Sequence, residues 1–273
     1  MRKGKQIIVF LLMGLAALAV VSCSSGNGEE LMNFHAEIEW KIPDPALGER
    51  PRILFVGNSH TFYNNFSGMF VNIVEAKGKK SSVYELSQGY YTLKKFSDLK
   101  DKGGALLDKT LNKQAWDIVV LQENSQEALS ETADEDMFPY ARILDEKIRA
   151  RGGQTAFFMT WAPRDGLKDG IKKRSREELQ QIMAANYMEI ADELGSLLIP
   201  AGIGFMRCAE LYPEIELWDN DRRHPSPEGS YLAACTAYAL LYQESPENCS
   251  YTATLEKDIA IKLQEIAADL ILK

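Results

Sequence analysis

What most constrains this chain is an alternation, starting at Arg52, of short apolar runs with longer segments of helical periodicity. ILFVG (53–57), VYEL (83–86), DIVVLQ (117–122), TAFFMTW (155–161) and LLIPAG (197–202) each read as a strand. Most are apolar at consecutive positions, as strands covered on both faces are. More than ten residues separate each from the next, which is too long for hairpins and suits helical crossovers between parallel strands. Residues 67–78 place Met69, Phe70, Ile73 and Val74 on one helical face, with Gly78 as a cap; 104–114, 138–151 and 175–195, ended by Gly195, follow. Two more helices are expected at 228–243 and 255–271. The pattern predicts an α/β fold, a three-layer α/β/α sandwich on a mostly parallel five-stranded sheet, across residues 51–273 without linker or repeat.

The N-terminus follows other rules. Arg2, Lys3 and Lys5 precede the apolar run IIVFLLMGLAALAVV (7–21), the pattern of a secretory signal and shorter than the roughly 20 residues a spanning helix needs. The run ends in Val20-Val21-Ser22-Cys23, which resembles the lipobox of bacterial lipoproteins. That resemblance implies a signal peptide over 1–22 and lipid attachment at Cys23. Residues 23–50 would then be a tether and leader, on an exported protein held to the outer membrane through its lipid. The small and acidic stretch SSGNGEE (24–30) suits such a tether.

Composition removes some functions. A net charge of −8 argues against nucleic-acid binding. Cys208, Cys235 and Cys249 form no CxxC pair and match no zinc spacing, so one disulfide and three reduced thiols both stay open. No HExxH occurs, and neither metal nor cofactor is expected. Nothing in the sequence speaks to oligomeric state.

In open parallel sheets, ligands bind beyond the carboxyl ends of the strands. After ILFV stands Gly57-Asn58-Ser59-His60-Thr61, where a tight turn would expose a serine hydroxyl and free its backbone N–H. A Gly-Asn-Ser turn is also ordinary punctuation. Serine needs a base. Of the three histidines, His35 lies in the leader and His60 adjoins the serine, which leaves His224. Asp221, three residues before it, could fix its tautomer, unless the pair is only a solvated surface loop.

Together GNSHT (57–61) and Asp221-Arg222-Arg223-His224 resemble the SGNH (GDSL-like) hydrolase superfamily, over roughly residues 52–240. The resemblance implies a flavodoxin-like sandwich and a serine esterase working through an acyl-serine. It further implies that Gly89, in LSQGYYT, and Asn124, in LQENS, supply oxyanion donors beside the Ser59 N–H. Asn58 replaces the usual Asp before the serine, and Gln122 and Ser125 replace the Gly and Asp around Asn124. These mark a divergent branch and leave Gln122 or Gln126 as rival amides. Surface-anchored members of this family often deacylate carbohydrates, so a glycan or small-molecule ester is the expected substrate. Tyr90, Tyr91, Trp161 and Trp218 are candidates to stack on sugar rings. The alternatives are a lipid or phospholipid esterase, or a non-catalytic glycan-binding or structural lipoprotein on the same fold.

Overall fold

The apolar runs become strands because the sheet buries both of their faces. The computed structural model describes residues 32–35, 43–169 and 172–272. In it β1 (Arg52–Gly57) is buried at every residue after Arg52. β2 (Ser82–Ser87) is the partly exposed strand beside it. β3 (Ile118–Leu121) and β4 (Gln154–Phe158) carry the rest of the apolar interior. A short antiparallel pair, β5 (Leu167–Asp169) and β6 (Lys172–Arg174), precedes β7 (Leu197–Ile199). The main sheet runs β2-β1-β3-β4-β7 with every pairing parallel. Phe55 of β1 thus faces Glu85 on one side and Val120 on the other.

Because β2 and β3 lie on opposite sides of β1, the strand order reverses there and opens a crevice at its carboxyl end. The connections between these parallel strands run through helices, which flank the sheet. Phe66–Ala76 packs on Pro227–Tyr242, which Lys257–Leu272 and Ala201–Leu211 cover in turn. Phe138–Arg149 packs on the helix Arg176–Leu194. The latter starts at a capping box of Ser175 and Glu178 and ends at left-handed Gly195, so its boundaries follow local chemistry.

Two local expectations change, and one pair of strands was not expected. The fourth strand stops at Phe158, and Trp161 instead stacks on Phe205 with ring centroids 3.9 Å apart. The fifth stops at Ile199, because Pro200 caps a helix, Ala201–Leu211, that its two glycines disguised. A Cβ on Gly202 would meet the Thr160 carbonyl at 2.0 Å, so that glycine serves close packing. The β5–β6 pair, LKD and KKR, has no apolar alternation to announce it.

Cys208, Cys235 and Cys249 are buried free thiols. The signal segment, Cys23, and residues 24–31 and 36–42 of the tether and leader lie outside the described residues. Of the leader's remainder, Phe34 is buried, and the Met32 and Ala46 N–H groups donate to Gln181 and Gln154, each at 2.9 Å. Among the described residues, no helix is long and apolar enough to cross a membrane.

Candidate active site

The turn after β1 is built around an absent side chain. A Cβ on Gly57 would lie 2.3 Å from Thr61 Oγ1 and 2.5 Å from Gln122 Oε1, so any side chain there would have to displace both. In the space it leaves, Gln122 Oε1 accepts from the Asn58 N–H (2.8 Å) and from the Thr61 hydroxyl (2.9 Å). Asn58 Oδ1 accepts from the His60 N–H at 3.2 Å and so caps the short helix Ser59–Phe62. Ser59 is the first residue of that helix, at the crevice beyond β1.

The histidine arrives on a surface loop. Trp218 bridges to Pro225, the Asp219 N–H donates to the His224 carbonyl (2.8 Å) and the Ser226 N–H to the Leu217 carbonyl (2.9 Å). Within the loop, Asp221 Oδ1 accepts from the N–H groups of Arg223 and His224, both at 2.9 Å, while Oδ2 bonds the His224 ring at Nδ1. The Trp161 indole N–H donates to the Arg223 carbonyl (3.0 Å), and Asn64 Nδ2 to the Pro225 carbonyl (2.8 Å), which secures the loop from both sides.

Across 165 residues of sequence, His224 Nε2 lies 2.8 Å from Ser59 Oγ. Ser59, His224 and Asp221 therefore stand in the relay that lets an imidazole take a hydroxyl proton and hold the charge. Partial burial would raise the Asp221 pKa, but the His224 ring and the two backbone N–H groups outweigh it and bring the carboxyl down to about 2. Tyr63 stacks on His224 with centroids 4.1 Å apart and planes 7° from parallel, which fixes the ring and presents a π face to an imidazolium. His60 sits on another side, 5.4 Å from both the His224 and Trp161 rings. Burial and the neighbouring His224 lower its pKa to about 4, so it adds no second positive charge at neutral pH.

Gly89 follows β2 and Asn124 follows β3, so the sheet order places them on either side of Ser59. Asn124 Oδ1 accepts from the Gln126 N–H (3.0 Å), which leaves Nδ2 as the outward donor. Neither that Nδ2 nor the N–H of Gly89 or Ser59 has a hydrogen-bond partner among the described residues. Gln122 is not a rival donor: it is buried, both ends of its amide are engaged, and Nε2 donates to the Glu123 carbonyl. Gln126 is exposed. No cluster of three or more metal-binding side chains occurs among the described residues.

Comparison with solved structures completes the picture. An SGNH hydrolase from Slackia heliotrinireducens is 30% identical, with a TM-score of 0.60 and 99% of its length covered by 70% of this chain. This chain belongs to the SGNH hydrolases. As an SGNH hydrolase it is a serine-type ester hydrolase. A DUF4886 family protein from Bacteroides uniformis (18% identity, TM-score 0.67, 82% of this chain and 95% of that one) shares its fold. So does an acetyl xylan esterase from Geobacillus stearothermophilus (17%, 0.50, 74% and 97%). No family model matches the chain, and no curated protein matches it.

Two of the three departures from the SGNH pattern, Asn58 and Gln122, have a physical reason here. Asn58 Nδ2 donates to the Tyr91 carbonyl at 3.0 Å, a bond that an ionised Asp would turn into a repulsion between acceptors. Gln122 fills the gap over Gly57 that a glycine in its place would leave empty. Of the aromatic candidates, Trp161, Trp218 and Tyr91 are buried and belong to the packing, whereas Tyr90 is 86% exposed. Tyr90 also has a φ of 62°, the left-handed conformation, at the turn closed by the Tyr91 N–H on the Gln88 carbonyl. The supporting roles of Tyr63, Asn64 and Gln122 escaped the sequence reading. The one signal was a polar Gln-Glu pair directly after an unbroken apolar strand, where core packing alone would not put it.

Proposed function

We propose that this hydrolase cleaves acyl esters of carbohydrates, acetyl esters foremost, through an acyl-serine on Ser59. Ser59 Oγ attacks the ester carbonyl carbon as its proton passes to His224 Nε2. The oxyanion is received by the N–H groups of Ser59 and Gly89 and by Asn124 Nδ2. Collapse breaks the C–O bond, and the departing alkoxide takes the proton from His224. Water then gives a proton to His224 and attacks the acyl carbon, which releases the carboxylate and restores the serine. Asp221 holds the Nδ1 proton throughout, and its low pKa keeps it an acceptor across the working range.

The observation that carries this reading is the 2.8 Å contact between Ser59 Oγ and His224 Nε2, with Asp221 behind it. The carbohydrate alcohol is supported by a cavity of about 420 Å³ beside Asn124, lined by Tyr90, Thr92, Lys94, Lys95, Asp98 and Asp101 among others. Hydroxyl-rich ligands suit such a wall, with the exposed Tyr90 ring as a stacking surface, whereas a long acyl chain would strip water from its charges. An N-terminus that resembles a lipoprotein signal supports action at the cell envelope, with the enzyme lipid-anchored at Cys23.

Hydrolysis of p-nitrophenyl acetate and butyrate by the wild type, Ser59→Ala and His224→Ala tests the chemistry. Turnover should fall by about 10⁴–10⁶ in Ser59→Ala. A Ser59→Ala enzyme as active as wild type would refute the site. Acetylated xylan-type oligosaccharides, assayed beside long-chain esters, test the substrate; faster release of long acyl chains would refute the carbohydrate assignment.

A further inference from the structure

Glu123 lies two residues beyond the end of β3, has no exposed surface, and plays no part in the chemistry above. Its carboxyl faces donors from two different loops. The Leu93 N–H lies 3.1 Å from both Oε1 and Oε2, and the Asn124 N–H donates to Oε1. Its backbone is held as firmly: its N–H donates to the Tyr187 hydroxyl (3.1 Å), and its carbonyl accepts from Gln122. A buried carboxyl without a cation is costly unless hydrogen bonds compensate it. No cation pairs with this one among the described residues. Lys94 and Lys95, on the helix that begins at Leu93, lie over the Tyr140 and Tyr91 rings instead. The titratable groups that act on it are Glu127, beyond Asn124, and Tyr187 of the helix Arg176–Leu194.

Leu93 follows the Gly89–Tyr90 turn, and Asn124 carries the amide assigned to the oxyanion. One carboxyl therefore joins the loops on either side of Ser59. We propose that Glu123 is a positioning residue for ester hydrolysis, its carboxyl setting the gap between the Gly89 turn and the Asn124 amide. This rests on the oxyanion assignment made above.

Burial pushes the Glu123 carboxyl up to about 8, against the opposing pull of the Asn124 and Leu93 N–H groups. The upward shift favours the protonated form near neutral pH, in which Oε1 can accept both amides while Oε2 carries the proton. Glutamine copies that arrangement with Oε1 as the acceptor; methionine keeps the length and removes the acceptor. Above pH 8, ionisation places a negative charge one hydrogen bond from Asn124, which opposes a developing oxyanion.

The test is p-nitrophenyl acetate kinetics of the full-length wild type, Glu123→Gln and Glu123→Met, with circular dichroism as a check on folding. Glu123→Gln should stay within about 3-fold of wild type at pH 7 and lack the fall in kcat that wild type shows through pH 8. Glu123→Met should lose about 10–100-fold in kcat with KM nearly unchanged. A Glu123→Met enzyme with wild-type kcat overturns the proposal, as does a Glu123→Gln enzyme that falls equally far. Should Glu123→Met not fold, the pH profile decides: a decline through pH 8 kept in Glu123→Gln overturns it. Hydrogen exchange separates this proposal from the esterase reading, because it needs no turnover. Glu123→Met should exchange faster over residues 88–94 and 123–127 and not over 154–158, and unchanged protection in the first two segments overturns the clamp whatever the substrate proves to be.

Discussion

Ser59 and His224 reach one hydrogen bond from frameworks built by opposite means. On the serine side the ties are buried polar side chains: Asn58, Gln122 and Glu123 each have 1% exposure or none, and they join the loops after β1, β2 and β3. On the histidine side Asp221, Arg222 and Arg223 are exposed, and the loop is held by its own backbone hydrogen bonds and by two indoles beneath it. Its ion pairs, Arg164 with Glu216 (2.9 Å) and Arg222 with Asp165 (3.0 Å), lie at the surface. The difference teaches where precision is demanded. In the proposed mechanism the serine side must fix several donors at once around an oxyanion, and low dielectric makes its hydrogen bonds stiff and costly to break. The histidine side has one ring to aim, and stacking on Tyr63 with a carboxylate behind is enough.

The comparison breaks most sharply at the relay itself. Asp221→Asn should lower kcat on the order of 10³–10⁴ with the fold intact, measured by steady-state kinetics beside thermal melts. A loss under 10-fold would mean that the loop backbone and Tyr63 alone aim the ring. On the serine side, Asn124→Ala should cost about 10²–10³ in kcat with little change in KM; undiminished turnover would place the side-chain donor elsewhere. Gln122→Ala acts on stability instead. It orphans the buried Asn58 N–H and the Thr61 hydroxyl, so denaturant unfolding should show a loss of about 1–3 kcal/mol. Arg164→Ala, which cuts an exposed pair at the histidine loop, should cost no more than about 1 kcal/mol. Similar losses in these last two variants would erase the contrast between the frameworks.

Much of this was legible in the chain. Strand and helix alternation gives the sandwich because burial on both faces demands consecutive apolar residues, and parallel strands demand long crossovers. Ser59, Asp221 and His224 were legible because a turn glycine, a serine and an Asp-x-x-His leave few other readings once His35 and His60 are set aside. The hairpin β5–β6 was not, since its charged residues carry no period. The helix after Pro200 was not, since its glycines deny it intrinsic propensity and packing alone supplies the stability.

The sequence by itself determined the fold class and the residue types of the relay, because both are written in local patterns: apolar runs, turn glycines and a short spacing within one loop. Only the tertiary structure decided which amide stays free, which aromatics are packing, and what a polar Gln-Glu pair does at the end of an apolar strand. Gln122 could be an oxyanion donor or a brace, and in the chain these look identical. Its amide is spent on Asn58, Thr61 and Glu123, while Asn124 Nδ2 has no partner among the described residues. A side chain's role depends on which partners have already taken its donors and acceptors, and those partners come together only when distant segments pack.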